Sequence, residues 1–263
     1  MNTIANQEEF NTLLKQQPKL KDLRGYTYLG EKLDCSSQCL VFLPDLPNIE
    51  ELNCNSNNLV YLPPLPNIRK LDCSYNKLSF IPVLPMVEKL ECQNNKLISL
   101  DGLPNVRELT VTNNQLTSLP KLPNVESLYC GFNDITSLPE LPKVTRLYCN
   151  NNQLTSLPGL PGMRYLNCSN NLIKEFPDSP YIEDFKYGDN PLTEMYPLYH
   201  CISKTSDRGV SYNPYTKLVK TGCFTGTLDE LYEKGYIEEK KEWVKTYVEK
   251  LKAYLNTQNN INN

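Results

Sequence analysis

Apolar positions in this chain follow neither a long alternation nor a helical spacing. They return in one fixed figure every nineteen residues. The stretch ELNCNSNNLVYLPPLPNI, residues 51–68, shows it: an apolar–polar–apolar triplet, a polar run ending on Asn57, then spaced leucines broken by prolines. The first leucine of the triplet recurs as Leu33, Leu52, Leu71, Leu90, Leu109, Leu128, Leu147, Leu166 and then Phe185, with no insertion between. Two residues after it stands Cys in seven of nine turns, with Val111 and Tyr187 in the others. Five after it stands Gln38 and then asparagine eight times, from Asn57 to Asn190. Seven after it is always Leu or Ile, from Leu40 to Leu192. A period of about this length marks a chain wound into stacked turns.

Elementary geometry assigns the parts. Residues two apart on a strand point the same way, so each anchor leucine and its cysteine face a shared core, and the residues between and beside them face out. The asparagine falls where the chain must leave the strand. Its amide both donates and accepts, so it suits backbone groups that a tight bend would leave unpaired, and stacked turns would align these amides in a ladder. The segment that follows, LPxLPN, carries prolines three apart, such as Pro120 and Pro123. Proline fixes φ and lacks an N–H, so this back side is expected to be extended, with Leu119 and Leu122 turned inward.

With the pattern LxxLxLxxNxL in place, and Cys at its third apolar position, residues 30–192 resemble the leucine-rich repeat. The LPxLP half looks like the short-repeat subclass found in bacterial effector proteins, and similar repeats occur in large DNA viruses and phagocytic protists. That resemblance implies an α/β fold: a leucine-rich-repeat solenoid of nine 19-residue turns, with a parallel concave sheet and an extended convex side. It also implies a protein-interaction module that takes its partner on the concave face.

Seven cysteines in one column raise the question of metal or redox chemistry. Neighbouring parallel strands keep Cβ atoms about 4.8 Å apart, wider than the roughly 3.8 Å a disulfide prefers. A single file of thiols does not converge tetrahedrally as zinc ligands do. Val111 fills one slot of the column, as expected if the slot needs only a small hydrophobe. The cysteines therefore read as core, with no metal and no cofactor, in a reducing compartment. Extracellular repeat proteins usually clamp both ends with paired disulfides, whereas the flank before Leu33 has no cysteine and the C-terminal region has only Cys201 and Cys223.

Stacked turns need covered ends. Residues 1–29 hold a helical pattern with Phe10, Leu13 and Leu14 on one face, followed by Leu20 and Leu23, and read as a small N-terminal helical cap. Periodicity stops at Thr193. Residues 193–226 are tyrosine-rich and read as irregular. Thr227 to Glu230 is a capping box that opens a short helix closed by Gly235, and a longer helix runs over 237–255. The whole of 193–255 thus reads as a helical C-terminal capping region, and 256–263 as a disordered tail. Trp243, Tyr247, Leu251 and Tyr254 form one apolar stripe on the longer helix. It either covers the end of the solenoid or docks a partner helix or a second copy.

Composition narrows the function. The chain has 263 residues and a net charge of −3, with no basic stripe, which argues against nucleic acid. No run approaches the roughly 18 apolar residues of a membrane helix, and Gln7, Glu8 and Glu9 interrupt any secretory signal. An intracellular, cytoplasmic location is expected; for an effector-like chain that includes the cytoplasm of a host. Outward strand residues are polar with alternating charge in the early turns, Asp72 and Glu91 among them. The sixth to eighth turns gather Tyr129, Phe132, Arg146, Tyr148 and Tyr165, residue types that dominate interfaces. These seven residues are the candidate partner-binding set.

No catalytic residue is assigned. Bacterial effectors with similar repeats carry a C-terminal ubiquitin-ligase domain with a Cys-x-Asp nucleophile, which the resemblance would imply here. No cysteine here is followed two positions later by Asp, and the 71 residues from 193 to 263 are short for that domain. His200 beside Cys201 lacks a visible orienting partner. The expectation is a non-enzymatic module for an unidentified protein partner. The alternative is the substrate-recognition part of a ubiquitin-ligase system, with residues 1–29 serving as an F-box-like adaptor segment.

Overall fold

Each turn spends three residues on a strand that turns only its anchor leucine inward, and the cysteine that follows is the next inward residue before the bend at the asparagine. The computed structural model describes residues 2–17, 19–174, 184–186, 188–191, 210–213, 218–221 and 224–227. The chain divides into two units, Met1–Ile173 with Pro177–Asn190, and Lys174–Phe176 with Pro191–Asn263.

In the first unit nine strands form one parallel sheet in sequence order: β3 (Lys32–Asp34), β4 (Glu51–Asn53), β5 (Lys70–Asp72), β6 (Lys89–Glu91), β7 (Glu108–Thr110), β8 (Ser127–Tyr129), β9 (Arg146–Tyr148), β10 (Tyr165–Asn167) and β11 (Asp184–Lys186). Every pairing has the same register, so Leu33 lies beside Leu52 and Leu128 beside Leu147. This is the leucine-rich-repeat solenoid. Among the described residues the only helix is in the N-terminal cap, so the side opposite the sheet is extended, as the prolines dictate. Anchor leucines, cysteines and Val111 are buried, and so are the closing apolar residues from Ile49 to Met163. The first leucine of LPxLP is buried through Leu100 but only half-buried at Leu119, Leu138 and Leu157. The inward position expected for Leu119 is therefore only partly met, whereas Leu122 is buried.

The asparagine column holds the turns together. The Asn133 side-chain oxygen accepts from the Leu116 N–H of the previous turn at 3.0 Å. Its NH2 group lies 3.0–3.2 Å from the carbonyl oxygens of Val111, Cys130 and Gly131. Asn57, Asn76, Asn95, Asn114, Asn152 and Asn171 repeat both halves of this pattern. Because the amide bonds the carbonyl and not the thiol of the cysteine position, Val111 serves as well as cysteine.

A bend this tight has a backbone cost. The residue before each column member adopts the left-handed region in all nine turns, at φ between 54° and 58°. Asn and Asp tolerate that region better than other non-glycine residues because their short polar side chains bond locally. Asn, Asp or Ser fills it in seven turns, and Tyr75 and Phe132 fill it in the other two.

The cap is more than a helix. Helix α1 (Gln7–Gln16) starts on Asn6, whose side chain accepts from the Glu8 and Glu9 N–H groups, and it buries Phe10 against Tyr28, ring edge to face. Strands β1 (Asn2–Ile4) and β2 (Tyr26–Tyr28) pair in parallel beside it. The open edge of β3 would expose unpaired peptide groups. Gln7 covers it, donating to Asp34 O and accepting from the Asp34 N–H, both at 2.8 Å. The Tyr28 hydroxyl donates to Lys32 O at 2.5 Å.

In the second unit, β12 (Val210–Asn213), β13 (Leu218–Thr221) and β14 (Phe224–Thr227) form an antiparallel three-stranded sheet. This corrects the expectation of an irregular segment over 193–226. Thr227, expected to cap a helix, is the last residue of β14; the helices expected beyond it to 255, His200, Cys201, Cys223 and the tail lie outside the described residues.

Truncating one rung should be costly. Asn133→Ala removes one acceptor and one donor group from buried partners, so the free energy of unfolding should fall by about 2–4 kcal/mol. A lower urea midpoint for the variant would show it; an unchanged midpoint would mean the column is not what joins the turns.

Candidate partner-binding surface

Outward strand side chains line the solvent side of the sheet, and the register brings unlike sets together at its two ends. In the early turns the charges answer one another. Glu51 lies between Lys32 and Lys70, each at 3.2 Å, and their hydrogen bonds lower its carboxyl below the usual range. Lys89 bonds Glu91 at 2.9 Å and faces Glu108 at 3.5 Å, and Glu91 is the main cause of its raised ammonium pKa. A depression of about 480 Å³ opens here, lined by strands β3 to β6 with Asp72 and Glu91 among its walls and Gln7 at one end. Asp72 accepts from the backbone and hydroxyl of Ser74 and from Asn55 at 2.9 Å, so it is anchored and not a free acceptor.

Further along, Tyr129 of β8 and Tyr148 of β9 are register partners, and their rings stack 4.9 Å apart at 12°. The Arg146 guanidinium of β9 lies 5.4 Å from the ring centre of its register partner Tyr165 in β10. Parallel pairing at about 4.8 Å sets both contacts, since side chains at equal register are held within stacking distance. Gly131 lies just beyond Tyr129. A Cβ there would stand 2.9 Å from the Asn150 side-chain oxygen, so this glycine gives the Asn150 amide its room.

Four of the seven candidate residues thus meet in two pairs over β8 to β10, and two more sit in the charged depression over β5 and β6. Phe132 does neither. It is past the end of β8, in the left-handed bend, 54% exposed, and Tyr75 occupies the same place three turns earlier at 57%. A bulky side chain in that region costs about 1–3 kcal/mol. Gln7 was not foreseen, because a cap residue reaches the strand edge only through the fold.

The cysteine column lies in the core. Burial pushes Cys35, Cys54, Cys149 and Cys168 well above the usual thiol range and Cys130 up to about 12. All eight described cysteines are free, and Cys39 alone among them is exposed. Among the described residues no group of acidic, His or Cys side chains is arranged to hold a metal ion, and no helix is long and apolar enough to cross a membrane.

Comparison with known proteins agrees with the solenoid. The profile for leucine-rich repeats in two copies matches residues 104–143, 123–162 and 142–181, offset by one turn each time. YopM from Yersinia enterocolitica WA-314 is 34% identical over 63% of this chain and 39% of its own, with a TM-score of 0.61. YopM from Yersinia pestis, described as a leucine-rich effector protein, is 31% identical over 65% of this chain and 53% of its own, with a TM-score of 0.57. A leucine-rich-repeat protein of Leptospira interrogans shares the fold at 23% identity, covering 75% of this chain and 67% of its own, with a TM-score of 0.52. The chain therefore spans about two fifths and about half of the two Yersinia proteins. No curated protein sequence matches it.

Two measurements follow from this geometry. Replacing Phe132 by Asn, the residue the chain uses at Asn113 and Asn151, should stabilise the fold by about 1 kcal/mol by relieving the bend; a destabilised variant would show that the ring contributes packing. Folding raises the Cys130 thiol from about 9 to about 12, so the unfolded chain sheds that proton first. Its contribution is present below pH 9 and is lost as pH rises toward 12. Denaturant titrations across that interval should show falling stability, with a shallower fall for Cys130→Val.

Proposed function

We propose that this leucine-rich-repeat protein, similar in its solenoid to bacterial effectors, is a non-enzymatic module that binds a protein partner on the solvent side of its nine-stranded sheet. The observation that carries this reading is the paired cluster of Tyr129 on Tyr148 and Arg146 on Tyr165. Stacking holds the rings in place before any partner arrives, which lowers the entropy cost of using them as contacts. Aromatic and Arg side chains held on a rigid strip are the residue types on which most interface energy rests. The rest of the sheet face supplies register: its alternating charges reward one alignment of a partner and penalise others. Asp72, Glu91 and the depression they line would serve that second task.

The test is recovery of partners by the full chain and by Tyr129→Ala/Arg146→Ala/Tyr148→Ala, after matched circular dichroism and melting. A protein that binds the native chain should bind the variant at least about 100-fold more weakly, given about 2 kcal/mol or more per central residue. Equal binding by both would remove the sheet-face reading.

A further inference from the structure

After each asparagine rung the chain makes a short passage in which a buried Leu or Ile is flanked by outward neighbours. Hydrogen bonding from turn to turn continues through it. The Lys77 N–H donates to Leu59 O at 2.9 Å, that of Lys96 to Leu78 O at 2.8 Å, and that of Gln115 to Leu97 O at 2.9 Å. Side chains of this passage therefore form a strip of their own, one rung per turn, separate from the strand side chains.

Its composition changes abruptly. After the buried residue the fifth, sixth and seventh turns read Thr117-Ser118, Thr136-Ser137 and Thr155-Ser156. The second, third and fourth read Val60-Tyr61, Ser79-Phe80 and Ile98-Ser99. Val60, Phe80 and Ile98 are 41%, 52% and 60% exposed. Because Thr and Ser serve equally well in later turns, the fold does not require these apolar side chains.

Charge supplies an independent observation. On other columns charged rungs reach partners of opposite sign: Arg69 pairs with Glu88 at 3.1 Å and Arg107 with Glu126 at 3.3 Å. Even the like-charged register neighbours Lys70 and Lys89 each reach a glutamate, Glu51 at 3.2 Å and Glu91 at 2.9 Å. Lys77 and Lys96 differ. They are like charges on adjacent rungs, both exposed, and among the described residues neither has an ion pair. Like charges side by side across strands are destabilising, and the same position is neutral in Asn58, Gln115 and Gln153 and acidic in Asp134.

We infer that the strip from Val60 to Ile98 is a second docking site, for a partner-protein segment that carries Asp or Glu between large apolar residues. Apolar side chains of such a segment cover Phe80 and Ile98, and its carboxylates neutralise Lys77 and Lys96 beside a surface partly closed to water, where ion pairs strengthen. A second copy of the chain fits less well, because a two-fold contact would set lysine strip against lysine strip. An anionic lipid surface fits less well too, given the net charge of −3. This site does not depend on the sheet-face reading.

The experiment pans the full chain against a phage-displayed random-peptide library, then measures a labelled synthetic copy of the enriched peptide by fluorescence anisotropy. Enriched peptides should place carboxylates next to aromatic or aliphatic residues. Lys77→Glu/Lys96→Glu should weaken binding at least about tenfold, through repulsion in place of attraction. Phe80→Ser/Ile98→Thr should weaken it comparably; it uses residue types already present in later turns, so it keeps the test open if the charge-reversed variant does not fold. Tyr129→Ala/Tyr148→Ala should leave it unchanged. Failure to enrich such peptides, or binding indifferent to both strip variants, overturns the proposal. So does a dimer in sedimentation equilibrium, or co-sedimentation with phosphatidylserine vesicles, that is abolished by the strip variants while peptide binding is absent.

Discussion

A side-chain amide turned into the bend, one in each turn from Asn57 to Asn190, is the constraint on which the rest of the solenoid depends. Its oxygen reaches only to the preceding turn and its NH2 only to carbonyls on either side of one rung, as at Asn133. No other group at the bend can satisfy those backbone atoms, so an inserted residue there would leave several of them bare inside the protein, at a cost of about 1–3 kcal/mol each. The uniform nineteen-residue spacing follows from that reach. The left-handed residue before each amide follows too, since the chain must turn sharply to deliver the side chain inward.

This division of labour frees the outward residues. Core contacts are made by leucines, small thiols and backbone carbonyls, none of which depends on what faces solvent. The same backbone can then present salt-bridged lysines and glutamates at one end of the sheet and stacked tyrosines at the other. At the N-terminal edge the rule is inverted: side chains, those of Gln7 and Tyr28, do for β3 what a neighbouring strand does elsewhere.

Much of this was legible in the sequence because a strict period reports three-dimensional equivalence directly. Strand positions, the amide column and the neighbourhood of Tyr129 with Tyr148 all follow from counting by nineteen. What escaped was whatever the period does not encode. Phe132 was grouped with strand side chains, yet the strand ends at Tyr129 and the residue lies in the bend, where backbone conformation and not spacing decides its place. The small sheet β1–β2 and the pairing of Gln7 with Asp34 join residues from non-equivalent positions. The sheet over 210–227 lies beyond the periodic region, where Ser211, Asn213, Lys220 and Thr221 interrupt the apolar residues and mask the alternation. Leu119 shows a subtler limit: equal sequence position did not mean equal burial.

Nine turns of equal length, each joined to the next by the same amide, also describe a molecule whose length can change by recombination. Loss or duplication of one whole unit leaves every junction chemically as before, because each asparagine meets a Leu or Ile N–H and a cysteine-position carbonyl whichever turn precedes it. The fold is indifferent to such an event. A partner bound as proposed would not be: each unit gained or lost between Glu91 and Tyr129 shifts the aromatic cluster against the charged depression by about 4.8 Å. Under the proposed reading, respacing of existing contacts would by itself alter recognition, with every side chain unchanged.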